Sequence, residues 1–226
     1  MKKNAMWVPV GLAVILMAGT TASARGNGLD NRIHKLAARF AAMQQNPDKR
    51  VPADLLRQAQ GIILLDRTKA GFGFAFQGGN GLAMVKDARG IWSPPAFVSA
   101  DEASLGPQFG GDQNFSVILL LTTNATHELT HSFVNFGGEA RGIAGDQSVG
   151  TESPAVPMPA TLVYGDREGF YAGIAMKGGT ISPDNKANAI YYGHAVTMND
   201  ILFGQRVKPT AAATELAQKI SQYSQK

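Results

Sequence analysis

Between residues 30 and 45, Ile33, Leu36, Ala37 and Phe40 recur at helical spacing, with Arg32, Lys35 and Arg39 as a basic stripe beside them. That period predicts an amphipathic helix over 30–45, which Asn46-Pro47 stops because the residue before a proline is driven out of the helical region. Pro52 suits a first helical position, so a second short helix is expected over 53–60, ended by Gly61. The pattern then changes to that of strands. Residues 61–66 are a short apolar run, and 71–77 alternate, with Phe72, Phe74 and Phe76 on one side. Gly78-Gly79-Asn80-Gly81 reads as a hairpin turn, with a returning strand over 82–86. Asp87-Ala88-Arg89-Gly90 is a further turn, and Ile91-Trp92 opens another strand before Pro94-Pro95. Residues 117–121 are apolar at every position, as in a strand buried on both faces. A second hairpin is expected from 160–164 and 170–176 around the turn 166–169. Short helices are expected over 124–133, 199–203 and 210–223, and a long loop over 152–159. The fold class is therefore α+β, an antiparallel sheet system, sandwich- or barrel-like, with peripheral helices in one domain.

Charge and targeting signals refine this picture. Lys2 and Lys3 precede an apolar run over 8–18, and Ala22-Ser23-Ala24 has the form of a cleavage site. Residues 1–24 are thus expected to be a signal peptide, the alternative being an uncleaved N-terminal anchor. Setting aside Lys2 and Lys3 lowers the formal charge from +4 to +2, a balance that gives no support to a nucleic-acid partner. The chain has no cysteine, so neither disulfides nor a thiol nucleophile enter the account. Its leader and lack of cysteine suit an exported bacterial protein, periplasmic or secreted and peripheral on a membrane. The sequons at Asn114 and Asn124 carry little weight in that setting.

His127-Glu128-Leu129-Thr130-His131 is a literal H-E-x-x-H, the pattern by which one helix face holds zinc while the glutamate activates water. The apolar residues of this segment are Ala125, Leu129 and Phe133. At about 100° per residue, His127 lies roughly 200° from Leu129, so the histidines face away from the core stripe. No third histidine follows at metalloprotease spacing, although Glu139 or Glu152 could complete a ligand set. A solvated pair is the expected reading; His127 and His131 as metal ligands of a hydrolase are the alternative. No G-x-S-x-G elbow or P-loop is present, and Gly71-Phe-Gly73 lacks the third glycine and the helix that dinucleotide binding needs. No enzyme activity and no cofactor are expected.

Residues 59–81, with their run of Gly-Phe-Gly-Phe-Ala-Phe-Gln-Gly-Gly-Asn-Gly, resemble the opening signature of the SYLF domain family. Gly90-Ile-Trp-Ser-Pro-Pro-Ala-Phe-Val98, Gly106-Pro-Gln-Phe-Gly-Gly-Asp112, Phe136-Gly-Gly138, Ala144-Gly145, Gly169-Phe-Tyr-Ala-Gly173, Asn188-Ala-Ile-Tyr-Tyr-Gly193 and Asp200-Ile-Leu202 continue it in order. The resemblance covers roughly 30–223, and its specificity lies in the agreement of many motifs in sequence order. It implies that 25–226 form a SYLF-type lipid-binding domain whose ligand is an anionic phospholipid or membrane surface. In eukaryotic members an N-terminal amphipathic helix meets phosphoinositide-containing membranes, and some yeast members bind actin filaments. Actin is implied here by the resemblance alone and does not suit an exported protein. The H-E-x-x-H departs from the family pattern.

The site is accordingly expected on the first helix. Ile33, Leu36 and Phe40 would enter the acyl boundary while Arg32, Lys35 and Arg39 meet phosphates, with Arg67 and Lys69 extending the patch from a loop. Each cation contributes on the order of 1 kcal/mol of salt-sensitive attraction. The bland alternative is that the helix packs its apolar face on the sheet. Trp92 and the phenylalanines of the hairpin are read as packing residues. A structural envelope protein that oligomerises through an exposed sheet edge is the remaining function class.

Overall fold

The computed structural model describes residues 18–72, 74–104, 109–131, 134–135, 160–166, 169–172 and 179–225. The expected leader is therefore mostly outside the described residues, as are the loop 152–159 and the side chains of 71–77. Helix α1 (Ala18–Gln45) leads through a tight turn at Asn46 to α2 (Ala53–Gln58). Gln44 fixes that turn from both sides: its Oε1 accepts from the Val51 N–H at 2.7 Å, and its Nε2 donates to the Val51 carbonyl at 3.2 Å.

Eight strands follow in one antiparallel sheet: β1 (Gly61–Phe72), β2 (Phe74–Val85), β3 (Ala96–Ser104), β4 (Phe109–Leu120), β5 (Val134–Asn135), β6 (Thr161–Gly165), β7 (Gly169–Ala172) and β8 (Gly179–Pro183). Their spatial order is β5-β8-β3-β2-β1-β4-β6-β7, which puts β1 in the centre between β2 and β4. Helices α3 (Thr123–Glu128), α4 (Asn185–Tyr192), α5 (Met198–Leu202) and α6 (Ala211–Ser224) complete the described chain.

Successive strand side chains point to opposite faces, and here both faces are covered. Ile62, Leu64, Leu82, Met84, Val117 and Leu119 pack beneath α1, α2, α4 and α6. Ile63, Leu65, Ala83, Val85, Ile118 and Leu120 pack with Ala125 of α3 and with Met198, Ile201 and Leu202 of α5. This explains the unbroken apolar runs at 61–65 and 117–120, where each fully buried aliphatic side chain contributes about 1.5–3 kcal/mol. The antiparallel α+β class is as expected, with helices supplying the layer on each side of the sheet.

The glycine cluster at 78–81 is not a turn. It lies inside β2, paired with residues 65–68 of β1, and the hairpin closes between Phe72 and Phe74. A Cβ on Gly81 would strike the Leu64 carbonyl oxygen, and one on Gly79 would come within 2.8 Å of Arg67 Cγ. These glycines permit close cross-strand approach. Arg67 and Lys69 consequently sit on a central strand instead of a loop. Ile91-Trp92 does not open a strand either: Trp92 makes a single bridge to Lys86, and β3 begins after the prolines. Helix α4 and strand β8 were not expected. Asp184 caps α4 through its Ala187 amide at 2.9 Å, and Gly193 ends it at φ 77°.

Candidate functional site

The basic stripe of α1 faces the sheet. Arg32 Nη2 donates to the carbonyls of Gly81 at 3.0 Å and Val98 at 2.9 Å, a paired position of β2 and β3. Its Nη1 reaches Asp184 at 3.5 Å, and the guanidinium lies over the Phe97 ring at 5.1 Å. Burial lowers the Arg32 pKa, opposed by the charge and hydrogen bond of Asp184. One turn and more further on, Arg39 joins two carboxylates from distant strands: Nη1 pairs with Asp66 of β1, and Nη2 meets Asp166 at 2.6 Å. It stands 5.4 Å over the Phe115 ring. Asp166 also accepts from the Phe115 N–H at 3.0 Å, and its carbonyl accepts from Lys49 Nζ.

Lys35 differs from its two neighbours. It pairs with Asp66 at 2.7 Å but leaves 58% of its side chain in water. With Arg32 and Asn31 it walls a groove of about 590 Å³ between α1 and the β1–β2 pair, floored by Asp66, Thr68, Gly78 and Asn80. In and beside the groove, Arg32, Lys35 and Arg39 pair with Asp184, Asp66 and Asp166, so the ion pairs balance and the exposed ammonium of Lys35 is the cation most open to water. The rest of the lining is the amides of Asn31 and Asn80, the Thr68 hydroxyl, Leu36 and two glycines. Such a site can receive an anion through the exposed Lys35 ammonium and the neutral donors beside it.

The structure thus gathers only part of the expected site. Arg32 and Lys35 line one groove, with Arg39 adjoining through Asp66. Ile33, Leu36 and Phe40 are in the core, exposed by no more than 1%, so they cannot enter a bilayer while α1 stays on the sheet. That corrects the insertion mechanism expected of them and agrees with the alternative reading of a packed helix. Arg67, one residue from Asp66 on β1, points to the opposite sheet face, where its guanidinium donates to Ser116 Oγ at 3.1 Å. Lys69 lies on β1 opposite Gln77 and Asp112, and its side chain is outside the described residues. Asn31, Thr68 and Asn80 belong to the groove and were not anticipated. Helical spacing from Lys35 could have found Asn31, whereas Thr68 and Asn80 needed the cross-strand register.

The H-E-x-x-H segment does not form one helical face. α3 ends at Glu128, and the amides of Leu129, Thr130 and His131 bond three residues back, so His131 lies past the helix cap. The His127 ring stacks on Phe203 at 4.6 Å, while His131 Nδ1 meets the Glu128 carboxylate at 3.1 Å. Two histidines directed apart, one occupied by the glutamate that would have to activate water, do not make a hydrolytic site. Among the described residues no three metal-ligating side chains converge, and no helix is long and apolar enough to cross a membrane. Trp92 is buried as expected, beneath Lys86, whose ammonium sits 4.8 Å from the ring and caps α2 through the carbonyls of Leu56 and Arg57 at 2.9 Å.

The Ysc84 family model, described as Las17-binding protein actin regulator, matches residues 101–223. LAS seventeen-binding protein 3 of Saccharomyces cerevisiae is 28% identical over 189 residues, covering 80% of this chain and 41% of its own. SH3 domain-containing YSC84-like protein 1 of Bos taurus is 26% identical over 192 residues, with 81% and 54% covered. The human protein of the same name is 25% identical over 186 residues, with 81% and 54% covered. The chain therefore spans about half the length, or less, of these curated relatives. No solved structure matches it.

Proposed function

The chain belongs to the Ysc84 (SYLF) family, and from that premise we propose that it is a non-enzymatic binding protein for anionic phospholipid, the headgroup being received in the groove between α1 and β1–β2. The observation that carries this is the exposed ammonium of Lys35 at the mouth of a groove that Arg32, Asn31, Thr68 and Asn80 also line. The name of one relative, LAS seventeen-binding protein 3, supports a binding role. The leader-like pattern of 1–24 supports an exported protein working at a membrane surface of the cell envelope.

Co-sedimentation with vesicles of graded anionic content tests the reading. Binding is expected to rise with anionic lipid, to weaken with salt, and to fall about tenfold in Lys35→Glu. Arg32 and Arg39 are unsuitable for this test because they hold α1 to the sheet. Binding that ignores both salt and Lys35→Glu would remove the groove from the account. The family description, an actin regulator, points to actin as the other partner class, and co-sedimentation with actin filaments run beside the vesicles decides between them.

A further inference from the structure

Ile91 is the one large apolar side chain left mostly in water among the described residues, with 55% of its surface exposed. Its position is fixed, not loose. The Asp87 carboxylate accepts from the amides of Arg89 and Ile91 at 2.9 Å each, and the Asp87 amide donates to the Ile91 carbonyl at 2.9 Å. Gly90 closes the turn at φ 78°, a conformation that a side chain would strain. A rigid turn therefore holds an aliphatic group outward, against the normal tendency of such groups to be covered.

The surroundings of Ile91 indicate what covers it. Behind it a groove of about 380 Å³ is lined by Trp92, Pro94, Phe203 and Val207, and Arg89 and Lys208 stand at its rim. Arg89 is 71% exposed and Lys208 is exposed. The local acid, Asp87, is spent inside its own turn and on the Arg89 guanidinium, at 2.8 and 3.0 Å. What remains outward is an aliphatic tip with an aromatic base, with Lys208 and the Asp87-paired Arg89 at its edge. That is the composition of an interfacial anchor, in which apolar groups enter the acyl boundary and cations meet anionic headgroups.

Resting on the lipid-binding reading, we propose that this corner, with Ile91 at its tip, is the element that enters an anionic bilayer. It takes the part expected of the α1 apolar stripe, which is committed to the core. The corner lies six to eight residues along β2 from the α1 groove, roughly 20–25 Å, so the two surfaces can be varied separately.

The test uses the chain from Arg25 on, the form that the proposed export leaves, in which Trp92 is the only tryptophan. Fluorescence is followed as vesicles of phosphatidylcholine, with or without phosphatidylserine, are added, some with brominated acyl chains. Trp92 is expected to be quenched by the brominated chains only when phosphatidylserine is present. Ile91→Asp should weaken vesicle binding by at least about tenfold, and Ile91→Leu should preserve it. Lys208→Glu should weaken it by about fivefold or more. Unchanged urea midpoints establish that these surface variants are folded. If the chain binds vesicles but Trp92 is not quenched, or Ile91→Asp binds as well as its parent, the corner is overturned and the lipid reading stands. If the parent binds no vesicle of any composition, both fall.

Discussion

Arg39 carries two carboxylates that no local sequence relation connects. Asp66 belongs to β1 and Asp166 to the turn after β6, and the guanidinium between them ties α1 to both. Arg39→Met keeps the aliphatic stem but leaves Asp166 without its cation and Asp66 with Lys35 alone. It should cost about 1–3 kcal/mol, read as a lower urea midpoint with an unchanged slope. Gly81 makes a different demand. Alanine there meets the Leu64 carbonyl oxygen across a central strand pair, so Gly81→Ala should cost about 1–3 kcal/mol even though only a methyl group is added. Asn188, wholly buried, donates to the Phe97 carbonyl at 3.1 Å and accepts its amide at 2.7 Å. It clamps α4 to the start of β3.

At the scale of elements, the turn that presents Ile91 has an acid dependence of its own. The Ile91 amide, and next the Arg89 guanidinium, hold the Asp87 carboxyl below the usual aspartate value. A depressed carboxylate contributes order above the ordinary carboxylate range and loses it as pH falls through its folded value. Backbone relaxation at Gly90 and Ile91 should therefore show a rigid turn at neutral pH and a looser one in strong acid, and Asp87→Asn should remove that step. The helices were the legible elements. Stop and cap signals mark α1, α2 and α6, whereas α4 escaped notice because its buried positions are an alanine and an asparagine, with no apolar stripe. Its signals were Asp184 and Gly193. The glycines of β2 misled for a physical reason: the same residue serves a tight turn and a close strand pair, and only the partner strand tells the two apart.

At the scale of the molecule, a central β1–β2–β4 core buried on both faces fixes the roles of everything around it. The residue types of the candidate site could be read along α1, since Arg32, Lys35 and Arg39 do share one side. Their direction could not. Their partners Asp66, Asp166 and Asp184 lie 27 to 152 residues away, and it is these acids that turn the stripe inward. The account therefore makes α1 a fixed wall of a binding groove, not a detachable membrane helix. Vesicle co-sedimentation of the parent chain and Lys35→Glu, at low and high salt, tests that claim most directly. The account predicts salt-sensitive binding to anionic vesicles that falls about tenfold in the folded variant. Absence of binding at every lipid composition would contradict it.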